Sequence, residues 1–214
     1  MTSVRKRERN PKGAGDRLRE EIVAAAADLI AEKGQEGLTL RGIARRVGIT
    51  APAIYAHFDD LDQVWDAVNR ETFAAFAHYL RERGRGVEDP TARLRAYCQG
   101  YIRFGLDHPL QYAVLFGRAA IVADRPDKAI DTMVGGEAFA ILRDAIGDCV
   151  TAGTSGSTNP VDDATAVWVA LHGYVGLQAA LPDFPWPPED SLLDTLVTRL
   201  ARLTPGGDTH REDR

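Results

Sequence analysis

Apolar residues recur at spacings of three and four along almost every long segment of this chain. In residues 16–33, the apolar side chains that share one helix face are Leu18, Ile22, Ala25, Ala26, Leu29 and Ile30. Spacings of three and four place side chains on one face of an α-helix, whereas a half-buried strand needs strict alternation. The pattern predicts an all-α fold, and no strand run or internal repeat competes with it.

The helix boundaries are predicted from capping residues, glycines and prolines. Asp16 is a candidate N-cap of the first helix, and Gly34 is its candidate stop. Asp60 with Gln63 fits a capping box, and Asp89 precedes a first-turn proline. Further helices are expected over residues 61–83, 90–107, 109–116, 126–150, 161–181 and 191–203.

Charge is distributed unevenly along the 214 residues. Residues 1–59 carry 11 basic and 8 acidic side chains, a net of +3, and residues 60–214 carry 15 and 23, a net of −8, which together give −5. A basic head on an acidic body fits a protein that holds a polyanion at one end.

The length accommodates a small domain joined to a larger one. Between helices, the composition of residues 151–160 predicts a flexible linker.

The sequence shows no targeting-signal pattern, no membrane-helix pattern and no paired-cysteine motif. No signal-peptide pattern is present, and no apolar run reaches the roughly 18 residues that a membrane helix needs. Cys98 and Cys149 form no CxxC pair, which argues against a disulfide framework or a zinc knuckle. We therefore expect a cytoplasmic protein without a metal or a cofactor.

Residues 39–58 (TLRGIARRVGITAPAIYAHF) have the spacing of a helix-turn-helix. Thr39 is a candidate cap of a short helix, and Gly48 supplies the left-handed backbone that a tight turn between helices demands. Thr50 is a candidate cap of a second short helix. Ala44 stands where the helices cross, and Ile54 anchors the second helix in the core. The segment therefore predicts two short helices crossing at a glycine turn.

An ordinary αα-hairpin has similar spacing, but the charge pattern favours DNA binding. The second helix exposes Ala51, Pro52, Ala53, Tyr55 and His57, with no carboxylate before Asp59. Three arginines, at 41, 45 and 46, lie just upstream. A solvated hairpin face normally includes acidic residues, so spacing and charge together indicate a nucleic-acid interface.

Residues 16–76 resemble the DNA-binding domain of the tetracycline-repressor (TetR) family of bacterial transcription regulators. The resemblance lies in TLRGIARRVGI, followed by T-x-x-A-I-Y-A-H-F and an amphipathic helix. It implies phosphate contacts for Thr50, Tyr55 and His57, and base-edge contacts for Ala51, Pro52 and Ala53. It also implies that Thr39 and Arg41 contact the adjacent backbone or a base. The predicted domains are an arm at 1–15, the DNA-binding domain at 16–60, an effector and dimerisation domain at 61–205 and a tail at 206–214.

The chain departs from the family pattern at Leu61. Many members have a lysine at this position that contacts phosphate, so this contact is expected to be absent here or taken over by Thr39, Arg41 or the N-terminal arm. The basic residues at 5–9 leave two interpretations open, an arm in the minor groove or a solubilising terminus.

The C-terminal helices predict a homodimer. A single helix-turn-helix makes few contacts, so such proteins bind two-fold related half-sites as dimers. Helices 161–181 and 191–203 are joined by a proline-rich turn and should run antiparallel. The resemblance makes an intersubunit four-helix bundle the favoured interpretation over packing within one monomer. Trp168 to Gly173 (WVALHG) resembles the subgroup with a Trp-His-Gly signature, as does HPLQYAVLFGR at 108–118.

The same resemblance favours a cavity for a small apolar effector, lined by aromatic side chains. Plain core packing explains aromatics at helical spacing equally well, and His172 is more often a structural residue than a ligand contact. The candidate lining residues are Trp65, Phe76, Tyr97, Tyr101, Phe104, Phe116, Phe139, Trp168 and His172.

Catalytic motifs are incomplete, so we do not expect an enzyme. GTSGS at 153–157 fails the G-x-S-x-G pattern, and GRGVED at 84–89 fails G-x-G-x-x-G. No HExxH motif is present. The favoured hypothesis is a ligand-responsive repressor that binds a palindromic operator and is nucleoid-associated when bound. The alternative is a helical adaptor with a degenerate DNA-binding head.

Overall fold

A computed structural model of the chain describes residues 14–116 and 133–204. Within these residues it contains nine α-helices and a short 3-10 turn, Gln35–Gly37; the one β feature is an isolated bridge between Ser155 and Leu203. The helices are α1 (Ala14–Lys33), α2 (Leu40–Val47), α3 (Ala51–Ile54), α4 (Leu61–Gly84), α5 (Pro90–Asp107), α6 (Pro109–Leu115), α7 (Gly136–Thr151), α8 (Pro160–Ala180) and α9 (Glu189–Leu200). The all-α prediction is confirmed. No helix of the described ranges is long and apolar enough to cross a membrane.

The helices form two compact units. The described part of the first is residues 14–69, and that of the second is residues 70–116 and 133–204. Helix α4 runs through the boundary between Asn69 and Arg70, whereas the sequence places a domain boundary between residues 60 and 61.

The first unit contains α1, α2, α3 and the start of α4. Its core includes Ile22, Ile43, Ala44, Ile54 and Phe58, which are all less than 5% exposed. The small Ala44 and the anchor Ile54 are therefore buried as the helix-turn-helix spacing predicts.

Local capping explains how α2 starts and ends. The backbone N–H of Gly42 donates to Thr39 Oγ1 at 3.0 Å, and Gly48 has a φ of 76°. Thr50 occupies the predicted N-cap position of α3 with an extended backbone, but its side chain accepts no capping hydrogen bond. A cap side chain accepts from the second or third helical N–H. Here Pro52 has no N–H, and the Ala53 N–H donates to the Thr50 carbonyl at 2.9 Å instead.

The predicted cap at Asp16 is wrong, whereas the later caps are confirmed. Helix α1 begins at Ala14, which places Asp16 inside its first turn. There its carboxylate lies at the positive end of the helix dipole. The Gln63 N–H donates to Asp60 Oδ1 at 2.8 Å, and the Ala92 N–H donates to Asp89 Oδ2 at 2.6 Å.

The second unit packs α5 at its centre, with Leu94, Cys98, Tyr101 and Ile102 buried in one core. Helix α7 begins at Gly136, after Gly135 in the left-handed region with a φ of 88°. The sequence predicts an earlier start at residue 126. Residues 126–132 lie outside the described part, and the break at Gly135 shows that one helix does not run from 126 to 150.

The prediction of a flexible linker at residues 151–160 is wrong. Ser155 and Ser157 are buried, and Ser155 Oγ donates to the Ala201 carbonyl at 2.7 Å. The Gly156 N–H donates to the Arg202 carbonyl at 2.9 Å. Composition predicts flexibility only where a segment finds no partner, and this segment pairs with a distant part of the chain.

Candidate nucleic-acid interface and ligand cavity

The helix-turn-helix presents an acid-free surface. No carboxylate occurs between Glu36 and Asp59. Of the residues that the sequence assigns to DNA, Thr39, Arg41, Thr50, Pro52 and Tyr55 are exposed, and Ala51, Ala53 and His57 are half-buried. Tyr55 is 56% exposed, so its hydroxyl is accessible to a ligand.

The three arginines of α2 divide into two kinds. Arg46 binds Glu32 of α1 through two hydrogen bonds, Nη1 to Oε1 at 2.8 Å and Nη2 to Oε2 at 2.5 Å. This pairing lowers the pKa of the Glu32 carboxyl below its ordinary value. Arg41 and Arg45 form no ion pair with any described residue. Arg46 therefore ties α2 to α1, and the guanidinium groups available to a polyanion are those of Arg41 and Arg45.

The side chain of Thr39 already has a structural role, because its oxygen accepts the Gly42 N–H. Its hydroxyl hydrogen remains available to a phosphate oxygen. Leu61 is the first residue of α4 and is half-buried. As an apolar side chain it makes no phosphate hydrogen bond, as the sequence predicts.

The second unit contains an apolar cavity of about 310 Å³. Its described wall consists of Phe73, Phe76, Tyr101, Phe116, Met133, Val134, Gly135, Gly136, Ala138, Phe139, Leu142, Thr165 and Trp168. No charged side chain is part of this described wall. The size is at the lower end of ordinary ligand pockets, which span roughly 300–1,000 Å³.

The structure brings some of the predicted lining residues together and leaves others out. Phe76, Tyr101, Phe116, Phe139 and Trp168 are in the cavity wall. The remaining candidates lie elsewhere. Tyr97 packs on Gly84, and Trp65 belongs to the first unit. The ring of Phe104 is tilted against that of His108, and the ring of His172 is tilted against that of Phe116.

Sequence reasoning named five of the thirteen described wall residues and missed the other eight, and it also missed Tyr112 behind the wall. Phe73 precedes Phe76 by three residues on α4 and shares its helix face, a signal that was readable from spacing. The sequence around Tyr112 gives no such signal, because Tyr112 acts through hydrogen bonds to residues that are not its neighbours in the sequence.

A chain of hydrogen bonds leads from the cavity wall to His172. The hydroxyl of Tyr101 lies 3.1 Å from that of Tyr112, which lies 2.7 Å from Nδ1 of His172. Burial raises the pKa of Tyr112 to about 12 and that of Tyr101 well above its ordinary value, and burial lowers the pKa of His172. All three side chains are therefore uncharged at neutral pH.

Burial of His172 should make folding stability pH-dependent. Its pKa is lowered from the ordinary 6.5 by desolvation, so the unfolded chain takes up a proton before the folded chain does as the pH falls. The stabilisation from neutral His172 is present above pH 6.5 and is lost as the pH falls through the lowered pKa. We expect His172→Gln to lose less thermal stability on acidification than the wild type, measured by thermal unfolding above and below pH 6.5. His78→Gln, at an exposed site on α4, is the control and should behave as the wild type; an unchanged acid loss in His172→Gln would contradict the assignment.

Comparison with known proteins identifies the two units. The family model described as bacterial regulatory proteins of the tetR family matches residues 22–68, and the model described as the tetracyclin repressor-like C-terminal domain matches residues 94–202. The chain belongs to the TetR family. It is a helix-turn-helix transcriptional regulator, and the N-terminal match spans the acid-free surface described above. The narrower assignment to the Trp-His-Gly subgroup stays a prediction.

Curated relatives of this TetR-family regulator are also transcriptional regulators. It is 27% identical over 197 residues, 88% of this chain and 84% of the relative, to an uncharacterized HTH-type transcriptional regulator of Mycobacterium tuberculosis. It is 37% identical over 86 residues, 36% of this chain and 46% of the relative, to the HTH-type transcriptional repressor AcnR of Corynebacterium glutamicum.

Solved structures share the fold at low sequence identity. A protein of unknown function from Rhodococcus sp. RHA1 has a TM-score of 0.70 at 24% identity, covering 86% of this chain and 94% of that one. RolR in complex with resorcinol has a TM-score of 0.63 at 17% identity, covering 90% and 89%. AibR in complex with isovaleryl coenzyme A and operator DNA has a TM-score of 0.58 at 19% identity, covering 87% and 99%.

Proposed function

We propose that this TetR-family regulator is a homodimeric repressor that binds a palindromic operator and is released by a small-molecule effector. The observation that carries the proposal is the acid-free helix-turn-helix surface, beside which Arg41 and Arg45 form no ion pair with any described residue. The relative AcnR is named a repressor, which supports repression over activation. The bound regulator would be associated with the nucleoid.

Contacts to DNA are assigned by exposure and chemistry. Thr50 would donate to a phosphate oxygen from the start of α3, and Tyr55 and His57 would do so from just after its end. Ala51, Pro52 and Ala53 have no polar side-chain atoms, so they would pack against thymine methyl groups. Arg41 would supply the bidentate hydrogen bonds that these residues cannot make. Sequence preference would also depend on DNA shape.

Dimerisation through residues 161–181 and 191–203 is supported by an apolar surface on α8. Val169, Leu177 and Leu181 are 59%, 50% and 50% exposed. A side-chain carbon added at Gly173 or Gly176 would meet nothing within 4 Å. Glycine within a helix costs stability relative to alanine by roughly 0.5–1 kcal/mol. Two glycines beside exposed apolar side chains fit a surface that a second backbone approaches closely.

Helix α9 supports the same dimer less strongly. Leu193 and Val197 are buried in the core of their own unit, and Leu192, Leu196 and Leu200 are half-buried. Its apolar face is therefore shared between the monomer core and the proposed partner. Because α8 exposes Val169 and Leu177 on one face, it would supply most of the interface.

The effector would bind the apolar cavity of the second unit. The structural neighbours RolR and AibR were solved with resorcinol and with isovaleryl coenzyme A, so proteins of this fold accept small molecules. An effector releases DNA only by binding the DNA-incompetent state more tightly than the DNA-bound state. No enzymatic step is part of the proposal.

Selection of bound sequences from a random duplex library by the purified protein tests the proposal. We expect an enriched palindrome with two half-sites, because a two-fold dimer presents two identical surfaces. Binding without enrichment, lost as salt rises, would contradict it and indicate the helical adaptor with a degenerate head. The short α3 and its lack of base-bonding side chains are the observations that favour this alternative.

A further inference from the structure

The start of α1 lies beside His57, one of the side chains that the proposed function assigns to phosphate. A side-chain carbon added at Gly15 would lie 3.9 Å from Cε1 of His57. One turn later, the guanidinium of Arg19 lies over the ring of Phe58, 4.8 Å from its centroid. Phe58 is 2% exposed, so this contact ties the start of α1 to the core of the unit. The chain therefore enters α1 next to the surface that would face DNA.

Most of the positive charge of the first unit precedes α1. The described residues 14–69 carry 6 basic and 10 acidic side chains, a net of −4. Residues 1–13 lie outside the described part, and their sequence carries 5 basic residues and 1 acidic residue, a net of +4. Attraction to phosphates that is independent of sequence comes from lysine and arginine. A unit with an acidic body therefore depends on residues 1–13 for much of this attraction.

The arginines of this segment alternate. Arg5, Arg7 and Arg9 are two residues apart, whereas Lys6 and Glu8 lie between them. Successive side chains of an extended chain point to opposite sides, so an extended segment would turn the three arginines to one side. A narrow minor groove has an enhanced negative potential that attracts inserted arginines. A solubilising terminus needs no such alternation, so the pattern favours the minor groove.

The length of the segment fits the distance to that groove. One turn of the duplex is about 34–36 Å, so the minor groove faces the protein about 17 Å along the axis from the major groove that α3 would contact. An extended chain spans about 3.3 Å per residue, so Arg9 reaches about 17 Å from Ala14, and Arg5 reaches about 30 Å. Arginines at these positions therefore reach the groove from a start beside His57.

We propose that residues 5–9 form an arm that binds the DNA minor groove about half a turn from the major-groove contacts of each half-site, with the arginine side chains inserted into the groove. The arm distinguishes A·T from G·C pairs, because the N2 amino group of guanine occupies the minor groove. This inference rests on the proposed function, which supplies the operator. It adds sequence preference outside the helix-turn-helix.

Titration of labelled operator duplexes with the full-length protein tests the groove. The half-sites stay as selected, and the pairs about half a turn to either side of the major-groove contacts are A·T, inosine·cytosine or G·C. Inosine lacks the N2 amino group, so inosine·cytosine has the minor groove of A·T and the major groove of G·C. We expect equal affinity for A·T and inosine·cytosine and about tenfold weaker binding to G·C, within the range for one mismatched base pair. Equal affinity for all three, or inosine·cytosine binding as weakly as G·C, would overturn the proposal.

Two matched double variants test the residues. Arg7→Gln with Arg9→Gln removes two charges from the arginine side of the arm, and Lys6→Gln with Lys12→Gln removes two charges from the other side. Both variants should bind every duplex more weakly, because both lose phosphate attraction. Only the arginine variant should bind the three duplexes within about twofold of one another, because only it loses the groove contacts. A preference that survives in the arginine variant, or disappears equally from both, would overturn the assignment to the arginines.

Methylation by dimethyl sulfate locates the arm independently of affinity, since the reagent modifies adenine N3 from the minor groove. We expect the wild type to protect adenine N3 at the A·T positions, and the arginine variant to lose this protection while protection within the half-sites is unchanged. Unprotected adenine N3 in the wild-type complex would overturn the proposal. A selected palindrome without any effect of these positions contradicts the arm alone, whereas no enriched palindrome contradicts the proposed function and the arm with it.

Discussion

Replacing Val169 with glutamate is expected to convert the regulator to a monomer and to reduce its operator affinity on the order of 100-fold or more. Val169 is 59% exposed on α8, beside Gly173. A two-fold interface repeats the substitution, so each dimer would bury two unpaired carboxylates. In a dimer, binding to one half-site keeps the second helix-turn-helix at a high effective concentration near the other half-site. A monomer loses this advantage. Light scattering coupled to gel filtration measures the mass, and titration of labelled operator measures the affinity.

Val150→Glu is the matched control. Val150 is also an exposed helical valine, 37% exposed, but it lies on α7. This variant should remain dimeric and keep its operator affinity. A dimeric Val169→Glu protein, or equal dissociation of both variants, would show that the two chains associate through another surface.

Replacing Arg41 with alanine is expected to weaken binding to the selected operator by about 1–3 kcal/mol per half-site, the value of a good bidentate base contact. Arg41 is exposed at the start of α2, and no described carboxylate neutralises it. The loss should be confined to one base position per half-site. Repeating the selection with the variant measures the base preference directly. Tyr55→Phe should instead weaken binding to all sequences alike, since it removes a phosphate contact.

Arg46→Ala separates a DNA contact from a structural ion pair on the same helix. Arg46 is held by two hydrogen bonds to Glu32 of α1. We expect this variant to unfold at a lower temperature and to select the same bases as the wild type. An unchanged base preference in Arg41→Ala, or an altered one in Arg46→Ala, would reverse these two assignments.

The helix-turn-helix was predictable because its determinants are local. Thr39 accepts an N–H from three residues away, and Gly48 adopts the positive φ that its position demands. Local reasoning also misplaced the cap at Asp16 and predicted a side-chain bond at Thr50 that does not form. It overlooked that Pro52 removes the donor that Thr50 needs, and that helix α1 already begins before Asp16.

The cavity was only partly predictable. Helical spacing identified aromatic residues, but it could not separate Phe76, which lines the cavity, from Phe104, which packs outside its described wall. Nor could it join Tyr112 to His172, which are 60 residues apart in the sequence. Helical spacing also could not show that Arg46, one of three arginines near the candidate DNA interface, is paired with Glu32.

The sequence by itself determined the helical class, the turn at Gly48 and the family to which the chain belongs, since each depends on residues within a few positions of one another. Only the tertiary structure decided which arginine of α2 is paired, which aromatics enclose the cavity and that hydrogen bonds join Tyr101, Tyr112 and His172. These properties depend on burial and on contacts between distant segments. Residue spacing along the chain does not encode them, because many packings are compatible with the same helical periodicity.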